Sequence, residues 1–185
     1  MKSYINQYRP FLLFLLKFFS VYIGLTLLYK LYLKQYDNPI QSQVDGFTQL
    51  VAHQTQQLLI FFNYNASTVM HDHQASIKLF LNKTYVARVV EGCNALSVII
   101  LFAAFVVAFT GKLKHTILFI LGGSLLIHLL NVLRIALLCI ALLHYPQHEE
   151  ILHGIIFPLF IYGVVFGLWV VWVNKFSIYA EKTPK

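Results

Sequence analysis

An apolar stretch covering residues 116–143 contains Ser124, His128, Asn131 and Arg134, and no other feature constrains the fold as much. At about 1.5 Å rise per residue it is long enough to cross the roughly 30 Å hydrocarbon core of a bilayer as a helix. An arginine at such depth costs roughly 2.5–3.5 kcal/mol on insertion scales, so it faces a protein interior or a wet cavity and has a partner. At 100° per residue, Ser124, His128 and Asn131 fall within about 60° of one another, and Arg134 extends the stripe by about 60° more. One wall of this helix is therefore polar. Ser, Asn and His often do no more than hydrogen-bond one membrane helix to another. That account covers Ser124 and His128 better than Arg134, which brings a permanent charge.

Hydrophobic residues make up 58% of the 185 and charged residues 11%, against roughly 25% charged in soluble domains. This composition describes a single integral membrane domain over residues 1–185. The net charge of +7 is spread over short loops and termini. That distribution argues against nucleic acid as a partner and for membrane orientation. Two cysteines, Cys93 and Cys139, are too few for a disulfide framework, although one bridge between them would account for both.

Residues 11–33 form an apolar run behind Lys2, Arg9 and Pro10. The run is too long for a signal-peptide core and lacks a small-residue cleavage site, so it predicts an uncleaved first membrane helix with Lys17 and Lys30 snorkelling near its ends. Residues 34–90 form a less apolar region, expected outside the cytoplasm. Within it Phe47, Leu50, Val51, Leu58 and Phe61 recur at helical intervals and predict an amphipathic helix on the bilayer surface over 47–62. The β-branched and aromatic runs 77–81 and 85–90 around Asn82-Lys83 predict a small hairpin leading to Glu91-Gly92-Cys93. His71 and His73 have no third ligand nearby in sequence, and no metal is assigned to them. A second membrane helix is expected over 93–109, the third over 116–143, and a fourth over 155–173 interrupted by Pro158. The fold class is thus an all-α membrane protein of about four transmembrane helices. A small segment between helices one and two carries the amphipathic helix and the hairpin.

With four spans, Lys2, Arg9, Lys112, Lys114, Lys175, Lys182 and Lys185 fall on one side, so both termini are expected in the cytoplasm. Cys93, Arg134 and His153 then approach one another on the opposite side. A thiol, a guanidinium and an imidazole suffice for acyl transfer. The thiolate attacks, a nearby cation favours its ionisation, the imidazole protonates the leaving amine, and the guanidinium holds the developing oxyanion. The depth of Arg134 is a difficulty, because helical side chains lean toward their own N-terminus and so away from Cys93. Either the site is a wet funnel sunk into the outer leaflet, or the third helix is tilted or shorter.

The sequences Glu91-Gly92-Cys93-Asn94-Ala95-Leu96 and Asn131-Val132-Leu133-Arg134, followed by His153 before the last helix, together resemble the exosortase/archaeosortase family, most like its short F-type bacterial members. The resemblance covers residues 91–166. It implies a multi-pass cysteine transpeptidase of the bacterial inner (cytoplasmic) membrane with its site facing the periplasm. Its partners would be the lipid bilayer and membrane-anchored proteins whose C-terminal sorting signal consists of a short motif, a hydrophobic helix and a basic tail. By the same resemblance Cys93 is the nucleophile, Arg134 the stabilising arginine and His153 the acid/base, with no cofactor. Asn131, Asn94, Glu91 and His128 complete the candidate set as supporting residues. Family members commonly have Ser or Thr and then Gly after the cysteine, where this chain has Asn94 and Ala95. A glycine some residues beyond the histidine is absent at its spacing, so His144 and His148 stand as substitutes for His153.

Two other classes compete with this reading. One is a non-catalytic membrane assembly factor. The other is a histidine-rich membrane metal or haem protein, prompted by eight histidines that include His144 and His148 at i, i+4. Pro146 between those two disfavours a continuous helix carrying both.

Overall fold

The structure, a computed structural model, describes residues 2–36 and 43–177. Part of the 34–90 region and the end of the polar tail, with Lys182 and Lys185, lie outside the described residues. The chain runs α1 (Lys2–Leu33), α2 (Gly46–Phe61), β1 (Ala66–Met70), β2 (Ser76–Leu81), β3 (Thr84–Val90), a 3-10 turn (Glu91–Cys93), α3 (Leu96–Ala108) and α4 (Leu113–His144). A second 3-10 turn (Pro146–His148), the single turn α5 (Glu149–Ile151), a π-helical turn (Leu152–Ile156) and α6 (Phe157–Lys175) follow.

The four expected membrane helices are present but unequal. Three are long and apolar enough to cross a membrane: Tyr8–Leu33, Leu113–His144 and Pro146–Lys175. The fourth, α3, has 13 residues, about 20 Å of helix, and falls short of the hydrocarbon thickness. It is wedged between its neighbours. On one side Phe14 of α1 lies 6.1 Å from Phe105 and 4.7 Å from Phe109 between ring centres. Lys17, expected to snorkel, instead donates to Thr110 Oγ1 at 2.8 Å. On the other side Trp169 of α6 stacks on Phe105 at 4.1 Å, and buried Trp172 donates from Nε1 to the Phe109 carbonyl at 3.0 Å.

Close packing of α3 on α4 depends on Gly123. A Cβ there would lie 2.6 Å from Cε1 of the fully buried Phe102 ring, whereas one on Gly122 would meet nothing within 4 Å. Small residues allow this approach where lipid supplies no hydrophobic drive between helices. Gly123→Ala is expected to destabilise by about 1–3 kcal/mol through overpacking, and Gly122→Ala to leave stability unchanged or slightly raised. Thermal unfolding of the two variants in detergent checks the contrast.

At one end of the helices α2, the sheet and the upper half of α4 form a cap with its own core. Asp45 Oδ1 caps α2 by accepting from the backbone N–H of Phe47 (3.1 Å) and Thr48 (3.0 Å). The inner face of α2 is Thr48, Val51, Ala52, Thr55 and Leu59, all buried, while Leu50 and Phe61 point outward. The helical periodicity over 47–62 is therefore right, and Phe47, Val51 and Leu58 do face the cap core, whereas Leu50 and Phe61 face away from it. The helix packs on the sheet and α4, because its buried threonines are satisfied locally and can turn inward. Thr55 Oγ1, for example, donates to the Val51 carbonyl at 2.8 Å.

The expected hairpin is β2 and β3. Asn82 and Lys83 both have positive φ (50° and 67°), as a type I′ turn requires. β1, not anticipated, adds antiparallel to β2 with Ala66 opposite Leu81, giving the order β1-β2-β3. Gln56 of α2 holds β1 through the Ala66 carbonyl (3.2 Å) and Thr68 Oγ1 (2.9 Å).

Val132, Ile135, Ala136 and Cys139 of α4 lie in the same core as Val51, Leu59, Leu79 and Val89. The 32 residues of α4, about 48 Å, thus serve two environments, apolar helix below and cap core above.

Candidate active site

β3 runs straight into the 3-10 turn that ends at Cys93. Cys93 therefore precedes α3 rather than capping it, a correction to the expected helix start at residue 93. Two local features end the turn. Asn94 Oδ1 accepts from the backbone N–H of Leu96 at 2.9 Å, and Ala95 adopts φ 64° and ψ 6°. That left-handed conformation costs a non-glycine residue roughly 1–2 kcal/mol, which is the physical reason a glycine suits the position after Asn94. Asn94 is buried, and its amide donates to Tyr29 Oη (3.1 Å) and Thr48 Oγ1 (3.0 Å). One side chain thus ties the cysteine turn to α1 and α2.

Asn131 Nδ2 donates to the Cys93 carbonyl at 2.8 Å, and Asn131 Oδ1 accepts from Arg134 Nη1 at 3.2 Å. Arg134 is therefore level with Cys93, and the depth difficulty disappears. The expected spans 93–109 and 116–143 put Cys93 at the outer end of one helix and Arg134 nine residues short of the outer end of the other. Instead α4 continues for 13 residues beyond Asn131, about 20 Å, into the cap. The Arg134 guanidinium lines the same cavity as Cys93. Its Nε is buried without a hydrogen-bond partner among the described residues.

His153 lies in the π-helical turn. Pro158, two residues into α6, has no N–H to give, and a proline ring in a helix crowds the carbonyl four residues back. The chain opens to an i→i+5 bond from Phe157 N–H to the Leu152 carbonyl instead of breaking. Pro158 therefore shapes the start of α6 and does not interrupt it.

Cys93, Arg134 and His153 line one cavity of about 540 Å³. It is lined by β3, by residues of α4 between Arg134 and Leu143, and by Pro146, Glu149 and His153. The other candidates separate cleanly. Asn131 connects two members of the set. Asn94 lies behind the cysteine as a clamp, and Glu91 faces a different cavity of about 290 Å³ with Lys30, Lys34 and Asp45. His128 turns to α2, where Nε2 is 2.7 Å from Gln54 Oε1 and the ring is 5.5 Å from that of Phe47. His144 and His148 do not line the cavity, which leaves His153 as its histidine. Sequence reasoning missed Glu149, which lines the cavity and had a signal, standing four residues before His153.

Both cysteines are free, Cys93 half-buried and Cys139 buried in the cap core, so the bridge considered between them is absent. Among the described residues no three His, Cys, Asp or Glu side chains gather in a way that could hold a metal ion. In the turn carrying His71 and His73, Lys78 sits 3.0 Å from Asp72 and holds its exposed carboxylate below the ordinary carboxylate value by hydrogen bond and charge.

No curated protein and no solved structure matches the chain. The family model described as Transmembrane exosortase (Exosortase_EpsH) matches residues 9–174 of the 185, and the chain belongs to that family.

Proposed function

We propose that this protein is a membrane cysteine transpeptidase or peptidase that cleaves C-terminal sorting signals of exported proteins through an acyl-enzyme on Cys93. The observation that carries the reading is the convergence of Cys93, Arg134 and His153, from three separate segments, on one cavity. The Cys93 thiolate attacks the scissile carbonyl carbon, and the carbonyl electrons move onto oxygen. Arg134, with donors to spare, stabilises that oxyanion. His153 delivers a proton to the leaving amine as the C–N bond breaks, leaving a thioester. An incoming amine or water, losing its proton to His153, then resolves the thioester. The mass of the released product tells which acceptor is used.

The lysine distribution supports an inner-membrane orientation with Lys112 and Lys114 cytoplasmic and the cap, with the cavity, outside. A membrane-impermeant thiol reagent added to spheroplasts is expected to label Cys93, spare Cys139 and stop processing. Labelling of Cys93 only after the membrane is permeabilised would reverse the orientation. Labelling without loss of processing would remove Cys93 from the chemistry.

A further inference from the structure

We infer that the substrate binds as an extended strand added to the free edge of β3, which delivers its scissile bond to Cys93. The inference rests on the peptide-processing reading above and names how the peptide is held. β3 is an outer strand of the sheet. Among the described residues its backbone pairs with β2 and with nothing on its other side.

All seven consecutive residues of Thr84–Val90 line the catalytic cavity, including Val89, whose side chain is 1% exposed and belongs to the cap core. Side chains alternate faces along a strand, so a cavity lying over one face would touch every second residue. Contact with every residue in turn, the buried Val89 included, fits a cavity that reaches the backbone edge, where on either side of the bulge every second residue presents an unpaired N–H and C=O. A slot lined by main-chain hydrogen-bonding groups and by the apolar Ile135, Leu138 and Leu142 fits an extended peptide. The strand also ends at the reacting atom, since Val90 is followed by the turn that carries Cys93. A β-bulge lies in the middle of the pairing, where Leu79 is opposite Ala87 but Phe80 is opposite Tyr85, leaving Val86 as the extra residue. Bulges of this kind re-aim strands beside active sites.

The protein that accumulates uncleaved in Cys93→Ala membranes supplies the probe, a synthetic peptide spanning its cleavage junction. Each backbone amide of that peptide is methylated in turn and processing by the full-length enzyme is measured. Strand pairing predicts losses of about tenfold or more at every second position and little change between them. In the Cys93→Ala background, Arg88→Cys is expected to form a disulfide with single-cysteine peptides at alternate positions only. A methylation scan that is flat, or one with losses in an unbroken block, overturns the strand. Disulfides between two Arg88→Cys chains that peptide does not suppress would show instead that a second copy of the chain occupies the edge. If no protein accumulates, or if the Cys93→Ala enzyme processes the unmethylated peptide, the peptide-processing reading itself fails and the strand fails with it. Cys93-dependent processing with a flat scan removes the strand alone.

Discussion

Replacing Cys93 by alanine is expected to lower processing by about 10⁴-fold or more, the scale on which enzymes respond to loss of their nucleophile. Uncleaved substrate should accumulate in the membrane while the variant itself inserts normally. The side chain of Cys93 makes no packing contribution comparable to that of Cys139, which is fully buried among α2, the sheet and α4. Cys139→Ala should therefore show the opposite pattern. Removing a buried sulfur from a packed core lowers stability by about 1–3 kcal/mol, while turnover per folded molecule stays near that of the parent. Quantifying precursor and product in membranes, alongside thermal unfolding of both variants, separates the two effects. Cys93→Ser should retain a trace at most, because a hydroxyl is far less ionised than a thiol.

Arg134→Lys is expected to reduce turnover by about 10²-fold or more with the protein still accumulating. Lysine keeps the positive charge. It lacks the planar fork that lets one nitrogen hold Asn131 while others stay available to the oxyanion proposed above. Asn131→Ala should cost less. It removes the bond to the Cys93 carbonyl and the anchor of Arg134, yet leaves the guanidinium itself in the cavity. Turnover of the two variants, normalised to folded protein, provides the comparison. Near-normal processing by Arg134→Lys would mean that charge alone suffices and that the forked geometry is irrelevant.

Much of this arrangement was legible in the sequence, for reasons that differ from element to element. The membrane helices announce themselves by hydropathy, and the hairpin by a two-residue Asn-Lys turn between β-branched runs. The polar stripe on α4 exposes Arg134 because charge inside an apolar run has few physical explanations. Part of what escaped has one cause, that hydropathy does not distinguish burial in lipid from burial in protein. Ile135, Ala136 and Cys139 looked like membrane residues and are cap core instead, so the level of Arg134 relative to Cys93 was misjudged.

The inner face of α2 is legible only in part, through Phe47, Val51 and Leu58, for a related reason. Its buried Thr48 and Thr55 are polar residues whose hydroxyls find partners, while the more apolar Leu50 and Phe61 point outward. Nor could the part played by Asn94 be read locally. Its partners Tyr29 and Thr48 stand 65 and 46 residues away in sequence, and contact at such separation appears only once the chain is folded.

The central claim is that Cys93 carries the substrate as a thioester during turnover. The direct measurement is intact mass spectrometry of the full-length enzyme with His153 in place, acid-quenched during turnover of substrate in membranes, because His153 serves both the formation and the resolution of the thioester. The account predicts an adduct equal in mass to the substrate fragment N-terminal to the cut, located on Cys93 and released by hydroxylamine. Continued processing by an enzyme that never shows such an adduct, or an adduct that persists in Cys93→Ala, would contradict it.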